Sequence, residues 1–321
     1  MSVLRILLIL LCGWGASLPA AAQRDRLTFY FDWFPGAQFA GIYVAADESY
    51  YQAAGLEVTF VPFAFGMNHP ALIEATTDHC AVGAMEGYIF LQQRGKGIDL
   101  VALAAQLQES PAGYMSLAST PVRSAADFRG KRIGVHAYAD PLYRLFLTRA
   151  GLKETDATMI FVKDDVESLL RGEVQAAQGY AIEEYQRLKE RVGSEARFVS
   201  FKELGFDAYS EVLFTTRLQQ QRSPEVLRRF VAATRQGWVE AFRAPDIATE
   251  AVRRRIPAEK AMTSAAIRSS LRALEPYVMP GGAAPLPPMN SHKWDEMQEA
   301  CRDMGFITQP ISSRNWIFRD N

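Results

Sequence analysis

Cysteine is scarce: three in 321 residues, Cys12, Cys80 and Cys301. That excludes a disulfide-stapled scaffold. Histidine is equally thin, with His69, His79, His136 and His292 scattered and none in a metal-ligand spacing with cysteine. His79 and Cys80 are adjacent, but neighbouring strand residues point to opposite faces, so they are not a nucleophile–base pair. There is no G-x-S-x-G, no P-loop and no G-x-G-x-x-G. Catalysis is therefore the disfavoured reading. Charge of one sign is also lacking. The balance is 35 basic against 36 acidic residues, net −1, so no strong field recruits nucleic acid or an anionic membrane. The one basic run, Arg253-Arg254-Arg255, reads as a solvated helix end. Beyond the start of the chain no stretch approaches roughly 18 consecutive apolar residues, the length a membrane span needs.

The start reads differently. Met1 to Arg5 is short and positively charged, Ile6 to Cys12 is apolar, and small residues follow. This is the pattern of a secretory signal cut after Ala22, which places the mature protein in the periplasm. Cys12 raises a lipoprotein reading, but Leu11 before it is bulkier than such cleavage prefers. With residues 1–22 removed, Cys80 and Cys301 remain. Whether they pair stays open, with two buried thiols the favoured reading.

The rest is an ordinary globular mixture, 49% hydrophobic and 22% charged, long enough for about two domains. Aromatic Phe29-Tyr30-Phe31 reads as a strand, Pro35-Gly36 as a turn, and Phe39, Ile42, Tyr43, Ala46 and Tyr50 as a helix face. Strands over 56–61, 80–84 and 98–105 alternate with helices over 70–76 and 85–93. A second unit follows, with strands over 114–118, 131–135, 159–162, 174–180, 198–201 and 209–215. Ser124 is a plausible cap for a short helix, and Gly151 and Gly172 stop two others. From Ser223-Pro224, read as a cap and a first-turn proline, the chain turns helical. No internal repeat is visible.

A helical tail too poor in strands to fold alone must pack back on the first unit, with the second inserted. That predicts an α/β fold of two lobes, each a mostly parallel sheet flanked by helices, with a ligand cleft between them. The expected parts are the signal at 1–22, lobe I at 23–108, lobe II at 109–212, and the lobe I return with C-terminal helices at 213–321. Two hinge crossings are expected, near Gln106–Ser110 and Tyr209–Phe214.

Loops at strand ends should face the cleft: Asp32 to Phe39, Gly83 to Tyr88, His136 to Asp140, and Gly179 to Glu184. They share flat aromatics and carboxylates. Indole and phenol rings stack, and carboxylates accept from amino and ring N–H groups. The combination suits a small, flat, nitrogen-bearing heterocycle. It suits a sulfonate or phosphate poorly, since buried carboxylates repel anions. The bland alternatives stay open: Trp33 as core, and Glu86 and Glu184 as helix-start carboxylates favoured by the dipole.

Across nearly the whole mature chain the sequence resembles the thiamine-pyrimidine-precursor, NMT1/THI5-like group of type II periplasmic solute-binding proteins. The resemblance is carried by Asp32-Trp33-x-Pro35, Gly41-x-Tyr43-Val44-Ala45, the Gly55-Leu56 strand start, Ser124 to Val135, and Gly179-Tyr180-x-x-x-Glu184. It implies the two-lobe fold in the service of an ABC importer, with a permease and its ATPase as partners, no cofactor, and a monomer. It also implies that Trp33 stacks on the ligand, Asp32 makes a polar contact, Glu184 binds an amino or ring nitrogen, and Tyr180 walls the pocket. The full expected contact set is Asp32, Trp33, Gln38, Phe39, Glu86, Tyr88, Tyr138, Tyr180 and Glu184. Gly36 stands where the group has Asn, and Phe39 where it has His. Both changes remove polar groups, which admits a larger or less polar ligand such as riboflavin. A ligand-sensing subunit is a further alternative. The pyrimidine synthase of the same fold family needs the loop His and a cysteine-rich segment, and neither is present here.

Overall fold

A computed structural model describes residues 24–136, 139–258 and 262–318. The expected signal and Tyr138 lie outside them. The chain begins with β1 (Asp25–Tyr30), β2 (Leu56–Val61), β3 (Cys80–Met85) and β4 (Leu100–Leu107). It continues with β5 (Ala112–Leu117), β6 (Arg132–Val135), β7 (Thr158–Phe161), β8 (Ala176–Tyr180), β9 (Ala196–Ser200) and β10 (Ser210–Thr216).

The strands form two five-stranded sheets, in the orders β2-β1-β3-β10-β4 and β7-β6-β8-β5-β9. In the first, β1 is parallel to β2 and β3, and β10 runs antiparallel between β3 and β4. In the second, β6 is parallel to β7 and β8, and β5 runs antiparallel between β8 and β9. β3, β4 and β10 are buried along their whole length, which is why they read as unbroken apolar runs.

One boundary differs from expectation. β10 pairs with β4 from Ser210 and with β3 from Val212, so the chain has returned to the first sheet before 213. The return segment is 201–209, broken at Gly205 with φ +90°. The outward crossing is 108–111, between β4 and β5.

The longer helices are α1 (Ala40–Asp47), α2 (Gly87–Gly95), α3 (Asp140–Arg149), α4 (Glu184–Val192), α5 (Pro224–Arg243), α6 (Pro245–Arg253), α7 (Ser264–Val278) and α8 (Ser291–Asp303). Ser124 and Asp127 form a capping box at the short turn before β6. Pro224 opens α5 as expected, but the Ser223 side chain makes no capping hydrogen bond. α5 buries Leu227, Phe230, Val231, Trp238 and Ala241. It meets α1 where glycines face each other: a Cβ on Gly237 would lie 2.0 Å from the Gly41 carbonyl oxygen, and one on Gly41 would lie 2.4 Å from the Trp238 ring. Cys80 and Cys301 are free and buried. The basic run closes α6, with Arg253 and Arg254 on Glu250, and Arg255 on Asp47. Among the described residues no helix is long and apolar enough to cross a membrane.

Candidate functional site

The two sheets approach each other at the ends of β1, β3 and β8. Ile182, just beyond β8, packs into a hydrophobic cluster of the first sheet, and Tyr180 packs against that cluster and against another built from residues of both sheets. The Tyr180 hydroxyl donates to Glu86 Oε1 at 2.5 Å, so a side chain of the second sheet is bonded directly to one of the first.

Glu86 is brought there by its helix start. It occupies the N-cap of α2, yet its side chain accepts no hydrogen bond from the helix. It turns instead to Tyr180 and to Ser210, whose hydroxyl donates to Oε1 at 2.8 Å. Gly87 makes this possible: its N–H donates to the Tyr209 carbonyl at 3.1 Å, and a Cβ there would lie 2.6 Å from that same oxygen.

Asp32 follows β1 by one residue past Phe31. His69 lies close enough for its charge to favour the Asp32 carboxylate, and its Nε2 is 2.9 Å from the Phe31 carbonyl oxygen. The Asp32 and Glu211 carboxyls lie close enough that each perturbs the ionisation of the other. Glu211 is the residue that sequence reasoning missed. It is 4% exposed, near the start of β10, and its backbone has φ +50°, a conformation rare outside glycine.

Three carboxyl oxygens on this floor are sealed from solvent with no donor from the protein: Asp32 Oδ1, Glu86 Oε2 and Glu211 Oε2. Burial disfavours their charged forms. It pushes Glu86 up to about 7, against the pull of Tyr180 and Ser210. It raises Asp32 as well, with His69 and Glu211 acting against it. Glu211 is raised well above the carboxylate range, by burial and then by the charges of Asp32 and Glu86.

Next to Asp32 in the chain, Trp33 is 44% exposed and stands in a knot of rings. Its centroid lies 5.5 Å from Phe63, 5.7 Å from Phe34 and 6.5 Å from Phe65. Phe63 and Phe65, from the loop after β2, were also missed. Two aromatics one residue apart just past a strand were the available signal.

Other expected residues are used differently. Phe39 is fully buried, with its ring 4.8 Å from Phe31 and 6.2 Å from Tyr43, so it supports the loop from the core and is not on the cleft face. Gln38 folds back toward the Phe34 carbonyl and lines a small cavity together with Gly36, Ile182, Glu183, Ile267 and Ser270. A Cβ on Gly36 would meet Gln38 Oε1 at 2.2 Å, the end of a flexible side chain that a rotation would carry away. The Tyr88 ring stacks on Phe306 and meets Phe206 edge-on. Glu184 opens α4, and its Oε2 accepts from the Tyr180 N–H at 2.8 Å, so that oxygen holds the turn after β8. On the second sheet His136 Nε2 lies 2.9 Å from both oxygens of Asp165. Burial works against the charge of His136, but Asp165 outweighs it and its pKa is raised.

Known proteins agree with this architecture. The sequence pattern of the family described as NMT1/THI5 like matches residues 36–248. The chain is 25% identical to the riboflavin-binding protein RibY of Chloroflexus aurantiacus, over 97% of this chain and 93% of that one. It is 26% identical to the formylaminopyrimidine-binding protein of Halalkalibacterium halodurans, over 69% and 68%. A synthase of 4-amino-5-hydroxymethyl-2-methylpyrimidine phosphate from Legionella pneumophila is 20% identical over 72% and 73%. Among solved structures, the alkanesulfonate-binding protein SsuA of Xanthomonas axonopodis pv. citri superposes with a TM-score of 0.64 at 15% identity, covering 94% of this chain and 99% of that one. That likeness is one of fold.

Proposed function

The chain belongs to the NMT1/THI5-like family, and from that premise we propose that it is an exported solute-binding protein that captures a thiamine pyrimidine precursor or a similar flat nitrogen heterocycle for an ABC importer. The observation that carries this reading is the set of unpaired carboxyl oxygens of Asp32, Glu86 and Glu211, with the exposed Trp33 indole next to Asp32 in the chain and Glu86 bonded to Tyr180 of the second sheet. Buried acceptors call for N–H donors, and an exposed indole offers a stacking face. The signal-like start supports export, and the two binding-protein relatives support capture rather than catalysis. The same acidic floor argues against a sulfonate, despite the sulfonate-binding fold neighbour.

A second reading, riboflavin as the ligand, is favoured by the ring knot. Trp33, Phe34, Phe63 and Phe65 give more aromatic surface than one pyrimidine covers. A thermal-shift screen of the mature protein across vitamins, their precursors, sulfonates and amino acids tests both. Stabilisation by an aminopyrimidine or a flavin is expected, with Kd in the micromolar range or tighter, about −8 kcal/mol. Stabilisation by sulfonates alone overturns the reading.

A further inference from the structure

The floor of the cleft has more acceptor capacity than its own residues fill. The unpaired oxygens come from separate segments: the end of β1, the start of α2 and the start of β10. Gln106 adds an unpaired group of a different kind. It has no solvent exposure, its Oε1 accepts from the Trp238 indole N–H at 3.1 Å, and its Nε2 donor has no partner. It lies in β4 opposite Glu211, between the paired positions Ala105–Val212 and Leu107–Ser210.

A metal ion does not fit this pattern. Among the described residues no group of three His, Cys, Asp or Glu side chains could hold one. The acceptors come from three separate segments, which suits a molecule that offers several donors. The sign of the required charge also follows. The charged groups that reach Asp32, Glu86 and Glu211 are one another and His69, with no lysine or arginine among them. The remaining facing groups are the hydroxyls of Tyr180, Tyr43 and Tyr88. Arg255, whose charge reaches Tyr43, lies over the Tyr43 ring and is bonded to Asp47.

We propose that the ligand presents a donor-rich, positively charged edge, an amidinium or a protonated aminopyrimidine, to Asp32, Glu86 and Glu211, and that seating it drives a proton off this trio into solvent. The proposal rests on the heterocycle reading above and narrows it to ligands that carry charge. A positive ligand favours the ionised carboxyls, so protons held in the free site leave on binding. Affinity for a ligand that stays protonated therefore rises with pH, about tenfold per unit for each proton released.

The test is isothermal titration calorimetry with benzamidine as the amidinium probe and riboflavin as the neutral planar control. It is run at pH 6, 7 and 8, in two buffers of different ionisation enthalpy. The expected result is benzamidine binding at least tenfold tighter at pH 8 than at pH 6, with about one proton released. Glu86→Gln should flatten the pH dependence. Glu211→Gln and Asp32→Asn should each weaken binding at least tenfold, with circular dichroism unchanged. Benzamidine affinity independent of pH, or no benzamidine binding, overturns the proposal. Riboflavin binding without proton release, in the absence of benzamidine binding, overturns it while leaving the heterocycle reading standing. Failure of that reading shows separately, as stabilisation by sulfonates alone.

Discussion

Removing one hydroxyl tests how the cleft is held shut. Tyr180 is bonded to Glu86 through its Oη alone, its backbone N–H is fixed by Glu184, and its ring packs against both hydrophobic clusters. Tyr180→Phe therefore deletes the bond between the sheets and leaves the strand in place. A hydrogen bond to a charged group contributes about 1.5–3 kcal/mol net. Ser210 still donates to the same Glu86 oxygen, so the carboxyl is not stranded and the lower figure applies. About 1.5 kcal/mol is about a tenfold fall in the ratio of closed to open protein. The assay is a spin-label distance measurement on protein expressed from Gln23 onward, with Glu57→Cys in β2 and Lys163→Cys beyond β7 as label sites. Both positions are exposed. Labelling is selective because burial pushes the thiols of Cys80 and Cys301 up to about 12. The variant, without added ligand, should gain a longer-distance population that the parent lacks. Identical distance distributions would refute the role given to Tyr180.

Three more outcomes follow from the same geometry. Because burial raises Glu86 from 4.5 to about 7, the native state keeps a proton that the unfolded chain has lost. That stabilisation is complete below pH 4.5 and disappears as pH rises through 7, at most about 3 kcal/mol. Urea unfolding should accordingly show Glu86→Gln losing less stability than the parent between pH 5 and 8, and equal losses would count against the buried carboxyl. Gly237→Ala places a Cβ 2.0 Å from the Gly41 carbonyl oxygen, where neither backbone can yield without α1 and α5 parting. It should cost about 3 kcal/mol in chemical denaturation, and a loss below about 1 kcal/mol would show the close approach to be dispensable. Trp33→Ala should weaken binding of an aromatic ligand at least tenfold with the melting temperature unchanged, since the indole is 44% exposed; unchanged affinity would remove Trp33 from the site.

Local chemistry wrote the elements legibly, and non-local pairing did not. The strand over 56–61 and the glycine stops at Gly151 and Gly172 could be read because alternation and positive φ are local properties. The two-lobe α/β fold followed from the order of units. The antiparallel insertion of β10 between β3 and β4 could not be read, because its partners lie more than a hundred residues earlier. The misplaced return has the same origin. The run over 209–215 reads as one strand, and nothing within it says which sheet it joins. Ser223 shows a smaller limit: a Ser-Pro pair announces a helix start, but whether the hydroxyl turns inward to cap depends on the incoming chain.

The site was legible in proportion to how exposed its residues' roles are. Asp32, Trp33, Glu86 and Tyr180 stand out as carboxylates and aromatics beside turns; Glu86 and Tyr180 are bonded to each other, and Asp32 lies near enough for its charge to act on Glu86. Phe39 and Glu184 look equally suitable in sequence, and only packing shows one spent in the core and the other on a backbone N–H. Glu211 is the opposite case. It sits in Ser210-Glu211-Val212-Leu213-Phe214, where the apolar run swallows it. Yet one carboxylate inside a strand that is otherwise apolar or small is itself a signal, because burying it unpaired is unfavourable. The backbone adds to that cost, since φ +50° is strained for a residue with a Cβ. Glycine at 211 would relieve the strain, and leucine would remove the buried carboxyl, so stability alone does not explain a glutamate there. A place in the proposed ligand site would account for it. An unpaired Oε2 beside those of Asp32 and Glu86 is a poor element of a fold and a good element of a recognition surface.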